Sequence, residues 1–260
     1  MLLPNPVRFA APLVLALTIC AHAQNSASPL PDAPEPSTEP QDQPVTLHNT
    51  PRHFLQDQKA IWTSPVRIRD SNALGPVLLV LATTVVISAD HQVMSSSKLI
   101  DPSLNSHAST ASSGLLGGFV AAPVLIYGLG DLHHDEHATE TGILGGEAML
   151  DSLVVDEVIK LVSLRERPTV DNAHGKFFQS SVGTDSSFPS THSMIVWASA
   201  AAIASEYSGW GTEITAYGLA TGLSTARVLS RQHFPSDVLV GSAVGWMIGR
   251  YVVRRHRNAD

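Results

Sequence analysis

Residues 188–206 read FPSTHSMIVWASAAAIASE, a Pro-Ser-Thr-His element that runs directly into an apolar stretch rich in alanine. Ser190 is a residue type that caps helices, so this pattern predicts a helix over residues 191–206. Similar stretches rich in Ala, Leu, Val and Gly lie on both sides, and none shows the period-two alternation of a half-buried strand. The sequence therefore predicts an all-α fold. An α/β domain with Val-rich strands at 77–87 and 238–240 is the alternative.

Six helices are predicted in total, and segments that contain proline, glycine or polar residues separate them. The expected helices cover residues 73–90, 114–130, 142–164, 191–206, 213–230 and 236–254. We therefore expect a bundle of about six helices over residues 70–256, with a core at 142–254 that carries the motifs described below.

The first 23 residues have the pattern of a secretory signal peptide. Arg8 precedes an apolar stretch, and Ala21-His22-Ala23 fits the small-x-small cleavage pattern. A lipoprotein signal with Cys20 as the acylated residue is the alternative, although the bulky residue before Cys20 disfavours it.

The segment after the signal peptide is rich in proline and polar residues, with almost no large apolar side chain before residue 50. Such a composition buries too little surface to offset the entropy of ordering the chain. We therefore predict a disordered tether over residues 24–60. Only the residues around Phe54-Leu55 and Ile61-Trp62 are expected to dock on the bundle.

Charge and composition exclude several classes of protein. Lys and Arg number 16 and Asp and Glu number 23, so the net charge is −7, which argues against a nucleic-acid partner. A single cysteine excludes a disulfide scaffold. Charged residues make up 15% of the chain, below the roughly 25% of soluble domains, and membrane association stays open.

Three short motifs follow one another in the second half of the chain. Lys160 and Arg167 are two helical turns apart, so both side chains emerge from one face. Arg227 supplies a third cation, and Ser190 opens a helix whose N-terminus favours an anion. Three cations and a helix N-terminus suit a phosphate dianion and the charge that develops on its oxygens. The motifs are K-x6-R-P from Lys160 to Pro168, P-S-x-H from Pro189 to His192, and R-x5-H-x3-D from Arg227 to Asp237.

Two histidines complete the pattern. His233 and Asp237 are four residues apart, so the carboxylate is expected to keep one imidazole nitrogen protonated and leave the other free to attack phosphorus. His192, in the first turn of a helix, is placed to protonate the leaving oxygen. This set predicts phosphoryl transfer through a phosphohistidine. One carboxylate is a poor set for a magnesium or two-metal site, so we expect no catalytic metal and no cofactor.

Together the motifs resemble the signature of the type 2 phosphatidic acid phosphatase and haloperoxidase superfamily. The resemblance covers Lys160 to Asp237 and, more loosely, residues 142–254. It implies a helical bundle that works without a metal, with His233 as nucleophile, His192 as general acid and Asp237 as the orienting carboxylate. Thr191 and Ala226 depart from the family pattern, which has Gly and Ser there. The candidate substrate-binding residues are Lys160, Arg167, Ser190, Thr191 and Arg227.

The predicted function is a metal-independent phosphatase acting on a phosphomonoester or lipid phosphate outside the cytoplasm. A vanadium-dependent haloperoxidase and a catalytically silent anion- or lipid-binding bundle are the alternatives.

All three motifs are expected at one end of the bundle. If a signal peptide is cleaved and six helices span the membrane, that end faces the cytoplasm, whereas membrane enzymes of this family carry the site outside. We therefore expect an exported, soluble or peripheral protein, periplasmic in a bacterium. An integral membrane protein is the alternative.

Two further segments carry weaker signals. Residues 131–137 are dense in His, Asp and Glu, and we favour a solvated acidic loop over a zinc site there. Residues 169–188 form a long loop between two motifs. They are either a plain connector or a lid in which Lys176, Phe177 and Phe178 contact the leaving group.

Overall fold

The computed structural model describes residues 45–67, 73–180 and 185–257. These residues contain seven α-helices and no β-strand, which confirms the all-α prediction. The helices are α1 (Thr50–Thr63), α2 (Leu74–Met94), α3 (Pro102–His133), α4 (Glu136–Ser163), α5 (Thr191–Glu206), α6 (Trp210–Leu229) and α7 (Pro235–His256). Helices α2 to α7 correspond to the six predicted helices, and α1 is additional.

The predicted tether is wrong at its C-terminal end, because α1 occupies residues 50–63. Pro51 lies in the first turn, where a missing N–H costs no hydrogen bond. The helix buries the polar residues His53 and Asp57, which a search for apolar periodicity does not detect. The predicted signal peptide and tether residues 24–44 lie outside the described residues.

Helix α3 begins twelve residues before its predicted start at 114. The carboxylate of Asp101 caps it by accepting a hydrogen bond from the Ser103 N–H at 2.8 Å, and Pro102 follows as the first helical residue. The serine-rich first half of α3 has the composition of a loop, so the sequence pattern missed it. Pro123 lies inside the helix.

Helices α2 to α7 run alternately in opposite directions. The Asn105 side chain on α3 donates to the carbonyl of Leu229 on α6 at 2.7 Å. The Ser190 N–H before α5 donates to the carbonyl of Asp237 on α7 at 3.1 Å. The C-terminal ends of α2, α4 and α6 therefore meet the N-terminal ends of α3, α5 and α7. All three sequence motifs lie here, and we call this the motif end.

Glycines bring α5 and α7 into close contact. A Cβ at Gly241 would lie 2.7 Å from the carbonyl oxygen of Ser190, and a Cβ at Gly245 would overlap the carbonyl of Met194. Gly249, one turn further along α7, faces Ala198 in the same way. Because only glycine permits this backbone approach, the contact fixes the N-terminus of α5 against that of α7.

We expect Gly245→Ala to destabilise the protein by about 1–3 kcal/mol or more, because the added methyl group meets helix backbone that cannot move aside. Gly146→Ala on α4 is the matched control, since its Cβ meets nothing within 4 Å. That control is expected to be neutral or to stabilise by about 0.5–1 kcal/mol. Urea unfolding measures both, and equal midpoints for the two variants would contradict this packing.

Helices α2 and α3 expose most of their apolar side chains. They have 21 and 32 residues, which is long enough to cross a membrane. In the most apolar 18-residue stretch of each helix, only 11% and 17% of the residues are buried. Neither is therefore the core helix of a water-soluble protein. Exposed examples on α2 and α3 are Val77, Leu78, Val80, Leu81, Val85, Val120, Val124, Leu125 and Leu129.

Candidate active site

The motif end brings the predicted site residues into one electrostatically coupled group. Lys160 lies in the last turn of α4, Arg227 in the last turn of α6 and His233 in the loop before α7. Lys160, Arg167 and Arg227 all act on the His233 imidazole. The remaining residues lie at helix N-termini: Ser190, Thr191 and His192 at that of α5, and Asp237 at that of α7.

His233 is buried and held in one tautomer. Its Nδ1 lies 2.8 Å from the carbonyl oxygen of Ser187. A carbonyl only accepts hydrogen bonds, so Nδ1 carries the proton and Nε2 keeps its lone pair. Burial, followed by Arg227 and Arg167, holds the pKa of His233 well below its ordinary value. The ring is therefore neutral and has a free nucleophilic nitrogen.

Asp237 does not make the hydrogen bond to His233 that the spacing predicts. Its Oδ2 is 3.7 Å from Nδ1 of His233, which is too long for a hydrogen bond. Oδ2 instead accepts from the Phe234 N–H at 2.8 Å, and Oδ1 accepts from Arg165 at 2.5 Å. Burial raises the pKa of Asp237 to about 6, and Arg165 opposes that rise. The carboxylate holds the loop that carries His233, while Ser187 orients the ring.

Arg165 is a residue of this site that the sequence analysis missed. Its side chain is 1% exposed and bridges Asp237 to Asp90 on α2, with an Nη2 to Oδ2 distance of 2.8 Å to Asp90. The guanidinium also lies 4.1 Å from the centre of the Phe234 ring. Asp90 additionally accepts hydrogen bonds from the N–H and hydroxyl of Ser236. Arg165 thus ties α2 to the start of α7 directly behind His233.

Thr191, which replaces the usual glycine, has partners of its own. Its Oγ1 donates to Oδ2 of Asp156 at 2.7 Å and contacts Nζ of Lys160. Lys160 also pairs with Asp156 at 2.9 Å, and both lie on α4 four residues apart. Asp156 was not predicted as a site residue, although a spacing of four residues is typical of a helical ion pair. Asp156 and Thr191 position the ammonium group of Lys160.

The two arginines of the site differ in their environments. Arg167 donates from Nη1 to the carbonyl of Gln232 at 3.1 Å, next to His233. Arg227 is 7% exposed, and its Nε has no hydrogen-bond partner among the described residues. Burial, and then Arg167, lowers the pKa of Arg227 to about 10, so it remains a cation at neutral pH. A buried cation with an unpaired N–H suits an anionic ligand.

His192 is half-buried and neutral before a ligand binds. Burial is the main cause of its low pKa, about 3, and Arg227 and His233 lower it further. A general acid must carry a proton, so His192 has to gain one when an anion enters. A bound dianion supplies the opposite charge that favours the protonated ring.

We therefore expect sulfate binding near neutral pH to take up protons. Sulfate stays a dianion across this range, so any uptake comes from the protein, and affinity is expected to rise as pH falls. Calorimetry in buffers of different ionisation enthalpy measures the uptake, and His192→Gln is expected to reduce it. Binding that is independent of pH and takes up no protons would contradict this assignment.

In the loop after α4, Phe177 packs against the site and the next residue, Phe178, is exposed. Phe177 lies under the Arg165 guanidinium at 4.8 Å and packs edge-on against Phe188. Phe178 is 69% exposed, and Lys176 pairs with Asp171 at the surface. Phe177 therefore supports Arg165, and whether this loop acts as a lid stays a prediction.

The His-rich segment at 131–137 forms the turn between α3 and α4. His134 adopts the left-handed conformation that ends α3, and Asp135 caps α4. His137 pairs with Glu206 at 3.1 Å. Among the described residues, this segment contains no group of three metal-ligand side chains close enough to share an ion.

Comparisons with known proteins gave one family match and one similar solved structure. The family model of the PAP2 superfamily matches residues 143–260, which confirms the resemblance inferred from the sequence. The crystal structure of a transmembrane PAP2-type phosphatidylglycerolphosphate phosphatase from Bacillus subtilis is similar, with a TM-score of 0.47 and 24% identity. The match covers 68% of this chain and 93% of that chain. No curated protein matches the chain.

Proposed function

Because the family model of the PAP2 superfamily matches residues 143–260, we infer that the chain is a phosphoric ester hydrolase. We propose that it works through a phosphohistidine on His233. The observation that carries this proposal is the state of His233. The ring is buried and neutral, with Nδ1 bound to Ser187 and Nε2 free, in the field of three cations. Its substrate is a phosphomonoester or a lipid phosphate.

In the first step, Nε2 of His233 attacks phosphorus, and the bond from phosphorus to the ester oxygen breaks. His192 gives its proton to the leaving oxygen. Lys160, Arg167 and Arg227 stabilise the negative charge on the three non-bridging oxygens. These fixed cations take the part that metal ions play in other phosphatases, so the reaction needs no metal.

In the second step, His192 takes a proton from water, and the resulting hydroxide attacks the phosphorus of the phosphohistidine. The phosphorus–nitrogen bond breaks, inorganic phosphate leaves, and Nε2 of His233 regains its lone pair. His192 is then protonated again for the next cycle. Ser187 holds the ring of His233 in the same orientation in both steps.

The role of His192 gives a prediction that depends on the leaving group. We expect His192→Gln to lower the hydrolysis of alkyl phosphates by about 10²–10⁴-fold, because an alkoxide needs a proton to leave. With p-nitrophenyl phosphate the first step is expected to change much less, since p-nitrophenolate leaves without one. Steady-state and burst kinetics on both substrates measure this, and equal losses in the first step would contradict the acid role.

We also propose that α2 and α3 lie in a lipid bilayer. Their exposed apolar faces support this, because such surfaces are unfavourable in water. Arg254, Arg255 and Arg257 lie at the end of α7 opposite the motif end, and basic residues favour the cytoplasmic side. This orientation places the site on the outer face, where a lipid phosphate is accessible. The same orientation requires α2 to begin on the cytoplasmic side. Cleavage after Ala23 would instead leave α1 and the start of α2 outside, so cleavage and this orientation exclude each other if α2 to α7 all span the membrane.

Thiol labelling of single-cysteine variants tests this orientation. In a Cys20→Ala background, Ser96→Cys marks the motif end. Ser208→Cys, in the turn between α5 and α6, marks the opposite end, and both residues are exposed. In intact bacterial spheroplasts we expect an impermeant maleimide to label position 96, and position 208 only after permeabilisation. The reverse pattern, or release of the protein into the periplasmic fraction, would contradict it.

Turnover of p-nitrophenyl phosphate and of phosphatidic acid in detergent micelles tests the activity. We expect hydrolysis that survives a chelator and competitive inhibition by vanadate. Activity that requires vanadate, bromide and peroxide together would indicate a haloperoxidase instead. Phosphate binding without any turnover would indicate a silent binding bundle.

A further inference from the structure

A second group of ionisable side chains lies away from the motif end, where the C-terminus of α7 meets α1 and the middle of α4. It joins three helices, with His53 on α1, Glu147 on α4 and His256 on α7. One potential ligand atom from each lies within 4.8 Å of the other two. His256 is nineteen residues beyond Asp237 on α7, about 28 Å along the helix, so this group is separate from the phosphatase site.

The carboxylate of Glu147 is buried without adequate partners. The residue is 1% exposed, and neither of its oxygens makes a hydrogen bond of regular geometry with a described residue. His53, which is 2% exposed, has its Nδ1 3.3 Å from Oε1 of Glu147. Burying such groups without hydrogen bonds is costly, so the arrangement calls for a ligand.

Further buried carboxyl groups lie beside Glu147. Asp57 and Asp151 are both fully buried, and one oxygen of Asp151 also has no hydrogen-bond partner among the described residues. Arg255 pairs with Asp57 at 3.2 Å. These carboxyl groups supply oxygen atoms close to the two histidines, as a metal site with mixed ligands requires.

The two imidazoles are arranged as neutral rings. His53 and His256 stack with their centres 4.2 Å apart and their planes at 17°. Two protonated rings would repel each other at this distance, whereas two neutral rings keep nitrogen lone pairs. A metal ion lies in the plane of each imidazole that binds it, so the two rings must rotate out of this stack to share one ion. Nε2 of His256 also lies 2.7 Å from Oδ2 of Asp57, a contact typical of histidines whose carboxylate partner is a co-ligand or an orienting group.

We propose that His53, Glu147 and His256 bind a zinc ion that fastens α1 to the bundle. Two imidazole nitrogens with carboxylate oxygen favour zinc, whereas magnesium and calcium prefer oxygen ligands alone. Zinc–ligand distances of about 2.0–2.1 Å put neighbouring ligands about 3.3 Å apart, so the side chains must move inward by about 1 Å on binding. The site has a structural role, independent of the proposed phosphatase mechanism.

Zinc titration of the full, tag-free chain after chelator treatment tests this proposal. We expect one zinc per chain by calorimetry, and cobalt in its place to give the visible absorption of a four-coordinate ion. His53→Ala and His256→Ala are expected to abolish binding, and Asp57→Asn to weaken it by about 10–100-fold. His137→Ala is the matched control, because that histidine is exposed and pairs with Glu206. It is expected to bind as the wild type does.

If a histidine variant folds poorly, the effect of zinc on the melting temperature of other variants tests the proposal instead. Glu147→Gln preserves the shape of the side chain but removes its charge, so zinc should raise the melting temperature of the wild type and not that of this variant. Phosphatase activity in chelator should persist at temperatures below the melt. Absence of zinc binding by the folded wild-type chain would overturn the proposal. Equal binding by the His53→Ala/His256→Ala double variant would also overturn it.

Discussion

His233→Ala is expected to lower turnover by about 10³–10⁶-fold, to the background of the assay. The substitution removes the attacking nitrogen and leaves the cations of the site in place. Phosphate binding should therefore persist while hydrolysis disappears. Steady-state kinetics with p-nitrophenyl phosphate, together with calorimetry of phosphate binding, measures the two effects separately.

His174→Ala is the control for this prediction. His174 lies in the loop after α4, where it stacks on His91 and is exposed, and it has no place in the proposed chemistry. Its turnover should stay within about twofold of the wild type. If His233→Ala kept a tenth or more of the wild-type turnover, another group would have to be the nucleophile.

Arg165→Met is expected to destabilise the protein by about 3–5 kcal/mol. The substitution leaves the buried carboxylates of Asp90 and Asp237 without the cation that lies between them. Arg165→Lys is expected to rescue little, because an ammonium group does not reproduce the two-sided contact or the stacking on Phe234. Urea unfolding measures these losses, and Arg254→Met, at an exposed position on α7, should leave stability within about 0.5 kcal/mol.

A double variant separates the charge effect from a general loss of packing. Asp90→Asn removes one of the two carboxylates, so the combined loss in Arg165→Met/Asp90→Asn should be smaller than the sum of the single losses. Strictly additive losses, or a loss below about 1 kcal/mol for Arg165→Met, would show that this bridge does not hold the loop of His233.

The candidate site residues could be proposed from the sequence because they occur in short motifs, and their catalytic and binding roles stay predictions. Ser190 caps α5 as its residue type predicts. Two other expectations were wrong in detail. Helix α4 ends at Ser163, so Arg167 lies in the loop and does not share a helical face with Lys160. Asp237 lies one turn after His233 without making the expected hydrogen bond to it. Composition was also sufficient for α2 and for α4 to α7, whose apolar stretches are long.

The residues that escaped the sequence analysis depend on contacts between distant segments. Arg165 meets Asp90 across 75 positions, and no spacing rule connects the two. The orientation of His233 comes from the carbonyl of Ser187, 46 positions away, and not from the neighbouring carboxylate. Helix α1 was not predicted because it buries polar side chains and has no apolar pattern. Their partners lie on α4 and α7, far away in the sequence.

Trapping the phosphoenzyme tests the central claim most directly. In His192→Gln with p-nitrophenyl phosphate, the first step should stay fast while the second slows, so the covalent intermediate should accumulate. Rapid quenching is expected to show a stoichiometric burst of p-nitrophenol and an acid-labile, base-stable phosphoryl group on the peptide that contains His233. A phosphoryl group on a serine or aspartate peptide, or a stoichiometric burst with no phosphoryl group on the protein, would contradict the account.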